Sequence, residues 1–133
     1  MTVRREEGRG GEPAPPAAVR RVTVHDVAAA RTRGRPLSMV TAYDWPTARL
    51  AEESGVDCVL VGDSVAMVVA GRDSTIPATL RQMIYHGEIV ARAVARAMVI
   101  VDLPFPLQHL GVRPAIRAAA RILKETGCQG VKL

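Results

Sequence analysis

Short runs of β-branched apolar residues alternate along this chain with alanine-rich stretches of helical period, and two of the runs end in a carboxylate. Val59-Leu60-Val61-Gly62-Asp63-Ser64 is one, and Val99-Ile100-Val101-Asp102-Leu103-Pro104 is the other. A brief apolar run bounded by Gly or Pro reads as a strand buried on both faces, which is the strand type of parallel sheets. An aspartate at the carboxyl end of such a strand lies on the rim where α/β proteins build their sites. Two of them, one strand–helix unit apart, are placed to converge on one hard cation. The competing interpretation is that each is a helix N-cap or a turn residue, as Asp commonly is after a strand.

The rest of the chain keeps the same rhythm. Thr23 opens a helix over Val24–Thr32, with Asp26 completing a capping arrangement, and Gly34 and Pro36 stop it. A first strand is expected over residues 38–43, then a helix from Pro46 to Gly55, whose glycine suits a left-handed helix end. The second strand, 57–62, leads into a loop over 64–77, and Thr79 with Gln82 caps a helix over 80–94. The third strand covers 98–102, and a helix over 114–126 carries Ala115, Ile116, Ala119, Ile122 and Leu123 as an apolar stripe. Gly130-Val131-Lys132-Leu133 begins a fourth strand. Alternation places Val59, Val61 and Asp63 on one face, and Ile100 with Asp102 on one face, both taken as the lumen side of a barrel. The predicted fold is α/β: parallel strands with right-handed crossovers, equivalent to the first half of a (β/α)8 TIM-type barrel.

Composition narrows the partners. With 48% hydrophobic and only 3% aromatic residues, the core must be built from Val, Ala, Leu and Ile. The net charge of +5 invites a nucleic-acid reading. Yet the arginines are dispersed and no aromatics lie between them, which fits solvated helix faces and no nucleic-acid role. No run approaches the roughly 18 apolar residues of a membrane span, and no apolar stretch follows the N-terminal arginines as a secretory signal would require. Cys58 and Cys128 lack any CxxC spacing and read as reduced core thiols of a cytoplasmic protein. Residues 1–21, rich in Pro, Gly and charge, read as a disordered tail ahead of one domain over 22–133.

In order and spacing, Val40-Thr41-Ala42-Tyr43-Asp44, Val61-Gly62-Asp63-Ser64, Asp73-Ser74-Thr75-Ile76-Pro77, Met83-Ile84-Tyr85-His86, Asp102-Leu103-Pro104-Phe105 and Val131-Lys132-Leu133 resemble the ketopantoate hydroxymethyltransferase family. The resemblance covers roughly Val22 to Leu133 and implies a magnesium-dependent (β/α)8 barrel. It further implies hydroxymethyl transfer from 5,10-methylenetetrahydrofolate to 3-methyl-2-oxobutanoate, the committed step of pantothenate synthesis. By that resemblance Asp63 and Asp102 are magnesium-site carboxylates that also lie against the keto acid. Ser64 hydrogen-bonds the substrate carboxylate, and Lys132 contacts the same molecule. Mg2+ chelated by a 2-oxo acid would act as a Lewis acid on a developing enolate, with Lys132 offsetting negative charge.

The resemblance also implies a metal-site glutamate directly after Leu133 and a general-base glutamate further on. No residue of this chain is therefore assigned as the base, and the 133-residue chain alone is expected not to form ketopantoate. The segment Phe105-Pro106-Leu107-Gln108-His109 departs from the family's usual small residue and Tyr after Phe, so that loop is expected to be reshaped. Tyr43 ends the first strand, Asp44 reads as a turn or helix-start residue, and His86 as packed or exposed and not a ligand. Two other readings stay open at this level: a related magnesium-dependent lyase or mutase on 2-oxo acids or phosphonates, and a non-catalytic fragment. Open strand edges and an uncovered lumen face predict a homo-oligomer.

Overall fold

The computed structural model describes residues 19–133. The expectation of a disordered tail therefore lies, for residues 1–18, outside the described residues. From Arg20 onward the chain is held: Arg20 pairs with Asp26 at 2.7 Å, and the Arg21 guanidinium donates to the carbonyls of Val94 and Ala95 at 3.0 Å each. The domain is thus anchored slightly before residue 22, because an arginine fork can satisfy carbonyls left open beyond a helix end.

The elements follow in order as α1 (Val24–Thr32), β1 (Met39–Thr41), α2 (Trp45–Glu53), β2 (Cys58–Val61), α3 (Val65–Val68), α4 (Leu80–Ala93), β3 (Met98–Asp102), a 3-10 turn (Leu107–His109), α5 (Val112–Thr126) and β4 (Gly130–Lys132). The strands form one parallel sheet in the order β1-β2-β3-β4, each next to its sequence neighbour, as in the first four strands of a (β/α)8 barrel. The fold is α/β.

Local chemistry explains the boundaries. Thr23 and Asp26 form a reciprocal capping box on α1, and Thr79 and Gln82 form one on α4. Asp44 caps α2 by accepting from the Thr47 N–H at 2.8 Å, with Pro46 in the first turn. Gly127 closes α5 at φ +74°, a left-handed cap that favours glycine. The 64–77 stretch, expected as loop, contains the short α3, and a turn from Thr75 to Ala78 leads into α4.

The core lies between the sheet and the helices. Val59, Val61, Val99 and Val101 are fully buried against Met83, Val90, Ala118 and Ile122. This corrects the expected facing: Val59 and Val61 point into the helix layer and are not lumen residues. The opposite face carries Cys58 and Met98, packed with Val22 of the N-terminal arm, and the half-buried Ile100. Burial inverts the guess because valines pack best where two layers meet, while the other face is covered only in part by α1. The α5 stripe is also rotated. Ala118, Ile122 and Thr126 face the core, while Ile116 and Leu123 are exposed. Cys58 and Cys128 are free and buried, and burial raises both thiols' pKa values. No helix among the described residues is long and apolar enough to cross a membrane.

Candidate functional site

Parallel pairing puts the carboxyl ends of all four strands on one rim. The register sets Asp102 directly beside Lys132, and Val61 beside Val101. Beyond β2 the chain turns at Gly62 and presents Asp63 and Ser64 to the same rim. Asp63, Ser64, Asp102 and Lys132 are thereby brought together.

Asp102 is the hub. Its residue is only 6% exposed, yet its carboxylate is bonded on both oxygens. Oδ1 accepts from the Lys132 ammonium, and Oδ2 accepts from the Asp63 backbone N–H at 3.3 Å. A buried carboxylate needs such partners, since an unpaired one costs several kcal/mol, on the order of the buried-ion penalty. Lys132 keeps 54% of its side chain exposed, so its ammonium also faces the open rim. Among the described residues no hydrogen bond uses the Asp63 carboxylate, and it remains an open acceptor on a half-buried residue.

Ser64 sits at the N-cap of α3 but makes no capping bond there. Its Oγ instead lies 2.8 Å from the Tyr43 hydroxyl, reaching across from the end of β1. Tyr43 is in turn fixed through its backbone: His86 Nδ1 lies 2.8 Å from the Tyr43 carbonyl. A carbonyl only accepts, so Nδ1 carries the proton. Tyr43, read from sequence as a strand end, and His86, read as packed or exposed and not a ligand, thus position Ser64. The signal available was that Tyr43 follows β1 directly and so shares its rim. Gly62 leaves room for the serine: a Cβ there would lie 2.8 Å from Ser64 Oγ, which would have to move aside, and 3.6 Å from Asp102 Oδ2.

Asp44 does not join the site. Its carboxylate caps α2, and the Thr47 hydroxyl and N–H hold its pKa below the usual carboxylate range. The Asp73-Ser74-Thr75 loop makes no side-chain bond to the rim among the described residues. After β3 the divergent loop forms the 3-10 turn, in which Gln108 Oε1 is buried without a hydrogen-bond partner among the described residues.

The described residues contain no cluster of three or more His, Cys, Asp or Glu side chains arranged around one metal position. The donor set nonetheless fits a hard divalent cation of the magnesium kind. Such an ion is commonly held by one or two carboxylates, with water and substrate oxygens filling the remaining positions. Asp63 offers an unused carboxylate, and Asp102 lies beside it.

The sequence profile described as ketopantoate hydroxymethyltransferase matches residues 21–133. The chain is 52% identical over 113 residues to the 3-methyl-2-oxobutanoate hydroxymethyltransferase of Rhodopirellula baltica, covering 85% of this chain and 42% of the relative. It is 54% identical over 117 residues to the protein of that name from Thermobifida fusca, covering 88% of this chain and 42% of the relative. The Deinococcus radiodurans protein of that name is 54% identical over 100 residues, covering 75% and 35% respectively. The chain spans about two fifths of the length of the curated relatives it matches. On the profile match and these identities, the chain belongs to the ketopantoate hydroxymethyltransferase family.

Proposed function

We propose that this chain supplies the keto-acid and metal rim for hydroxymethyl transfer from 5,10-methylenetetrahydrofolate to 3-methyl-2-oxobutanoate, a reaction of pantothenate synthesis. The observation that carries the proposal is the convergence on Asp102 of the Lys132 ammonium and the Asp63 backbone N–H, beside the open Asp63 carboxylate.

Lys132 has its ammonium shared between a buried carboxylate and solvent, so it can meet the carboxylate of an incoming 2-oxo acid without leaving Asp102. If Tyr43 donates its hydroxyl proton to Ser64 Oγ, the Ser64 proton is left for the same substrate carboxylate. Asp63 and Asp102 would hold Mg2+, whose chemistry when bound is Lewis-acid polarisation of the keto oxygen, acidifying the C3–H bond. The substrate is thereby oriented with C3 toward the open side of the rim, and the positive groups of this chain balance the charge that develops when C3 loses its proton. No residue described here is placed to take that proton. C3 would then bond to the methylene carbon of 5,10-methylenetetrahydrofolate as that carbon's two C–N bonds break, with water supplying the new hydroxyl group and tetrahydrofolate leaving.

Self-association belongs to the same reading. Met39 and Val40 on edge strand β1, and Val112 and Ile116 on α5, are exposed apolar side chains that an assembly would cover.

Calorimetric titration of 3-methyl-2-oxobutanoate into the purified protein, with and without Mg2+, tests the proposal. Saturable binding that needs Mg2+ and disappears in Asp63→Asn is the expected result. Binding that is indifferent to both Mg2+ and Asp63 would remove it.

A further inference from the structure

A second polar feature lies at the other end of the sheet. A cavity of about 120 Å³ opens between α1 and the amino-terminal ends of the strands. Leu37 before β1, Asp57 just before β2 and Arg96 just before β3 contribute to its wall, which places it away from the rim that carries Asp102. Its charged lining is Arg20, Arg33, Arg35 and Arg96 with Asp26 and Asp57.

The two carboxylates are already matched. Asp57 accepts from Arg35 at 2.8 Å and from the Ser38 N–H and hydroxyl at 3.0 Å each. Asp26 accepts from Arg20 at 2.7 Å and from the Thr23 N–H and hydroxyl at 2.9 and 2.7 Å. All four guanidinium groups keep open donors, and two of them, Arg33 and Arg96, have no carboxylate partner among the described residues. Arg96 uses only Nη2, which donates to the carbonyls of Gly55 and Val56, and its Nε and Nη1 have no partner among the described residues. Arg33 makes only backbone bonds among the described residues. Four positive and two negative side chains thus face one concavity, with the surplus carried by planar forks whose spacing suits tetrahedral oxyanions.

We propose that this cavity binds a phosphate-class oxyanion, with Arg33 and the free donors of Arg96 as its principal contacts. The site is independent of the hydroxymethyl-transfer reading, since it shares no residue with the rim. Its ligand is either free phosphate or the phosphate of a phosphomonoester, and both present the same three-oxygen face to the arginines.

The test is calorimetric titration of the full chain with inorganic phosphate and, separately, with glycerol 3-phosphate, at ionic strength held constant with sodium chloride. Saturable binding with a single site is expected. It should weaken at least tenfold in Arg33→Gln, less in Arg33→Lys, which keeps the charge but loses the fork, and not at all in Arg113→Gln on the exposed face of α5. Arg33 has no side-chain bond to lose among the described residues, so circular dichroism should show Arg33→Gln folded like the parent. Tighter binding of glycerol 3-phosphate would identify a phosphomonoester as the ligand, and tighter binding of inorganic phosphate the free anion. No saturable heat with either probe, no change in Arg33→Gln, or an equal loss in Arg113→Gln would overturn the proposal.

Discussion

Both ends of the sheet carry a buried, hydrogen-bonded aspartate, but only the one at the carboxyl-terminal end stands beside an open carboxylate, that of Asp63. At the amino-terminal end, Asp57 is 5% exposed and closed in by Ser38 and Arg35, so it ties the segment before β1 to the start of β2. Glu52, nearby on α2, accepts from the N–H groups of Ala95, Arg96 and Ala97 and so closes the turn before β3. These carboxylates have every bond they need from neighbouring elements. At the carboxyl-terminal end, Asp102 holds a half-exposed lysine, and Asp63 beside it holds nothing among the described residues. Satisfied buried charge maintains the fold, whereas charge left open at a rim is available to a ligand.

The largest expected effect on stability is therefore at Asp57. Asp57→Ala removes the acceptor of the Ser38 N–H and hydroxyl and the partner of Arg35 and should cost about 2 kcal/mol in urea melts, the range for hydrogen bonds to a charged group. Asp63→Asn should change stability by less than about 0.5 kcal/mol, as expected of a side chain with no internal partner. Equal losses in the two variants would erase the contrast between the two ends.

Acid sharpens the same contrast. The Ser38 N–H, working against the burial penalty and aided by its hydroxyl and Arg35, holds Asp57 below its ordinary pKa of 3.8. Burial pushes Glu52 up, but its three backbone donors prevail and hold it below its ordinary 4.5. A carboxylate depressed in the folded state contributes stability that is fully present above its unfolded value and lost as pH falls through its folded value. Stability should thus be flat near neutrality and decline as pH drops below 4.5 and then 3.8. Glu52→Gln should be less stable near neutrality and lose less on acidification, measured as the melting temperature across that range.

Gly62→Ala is also expected to cost little stability, less than about 1 kcal/mol, because the atom in its way is a rotatable serine hydroxyl. It should nonetheless displace Ser64 from Tyr43 and weaken 3-methyl-2-oxobutanoate binding. Unchanged binding in Gly62→Ala would mean that the position of Ser64 does not matter to the ligand.

The amino-terminal end was the less legible of the two in the sequence. Capping boxes such as Thr23 with Asp26 and Thr79 with Gln82 are local, three residues apart, and the helix starts at Val24 and Leu80 follow from them directly. Strand β3 was also legible over its full length, because its five apolar and acidic residues are bounded by a short turn and a proline. Asp57, by contrast, takes its partners from Ser38 and Arg35 across a helix, and no local pattern announces that. On the rim, Asp63 and Asp102 were visible because each follows or ends a strand, whereas Ser64 and Lys132 were singled out only by the family resemblance. The Tyr43–Ser64 bond was not visible, since it depends on the lateral pairing of β1 with β2. The facing of Val59 and Val61 was misjudged for a related reason: alternation gives two faces but does not say which one the helices cover.

The most direct test of the division between the two ends is a set of thermal melts of the parent, Asp57→Asn and Asp63→Asn, each with and without Mg2+ and 3-methyl-2-oxobutanoate. A ligand that binds only the folded state raises the melting temperature in proportion to its occupancy. Asp57→Asn should melt lower than the parent yet keep the ligand-induced rise, while Asp63→Asn should melt like the parent and show no rise. An Asp63→Asn protein that keeps the full rise, or that melts as low as Asp57→Asn, would contradict the assignment of the carboxyl-terminal rim as the ligand site.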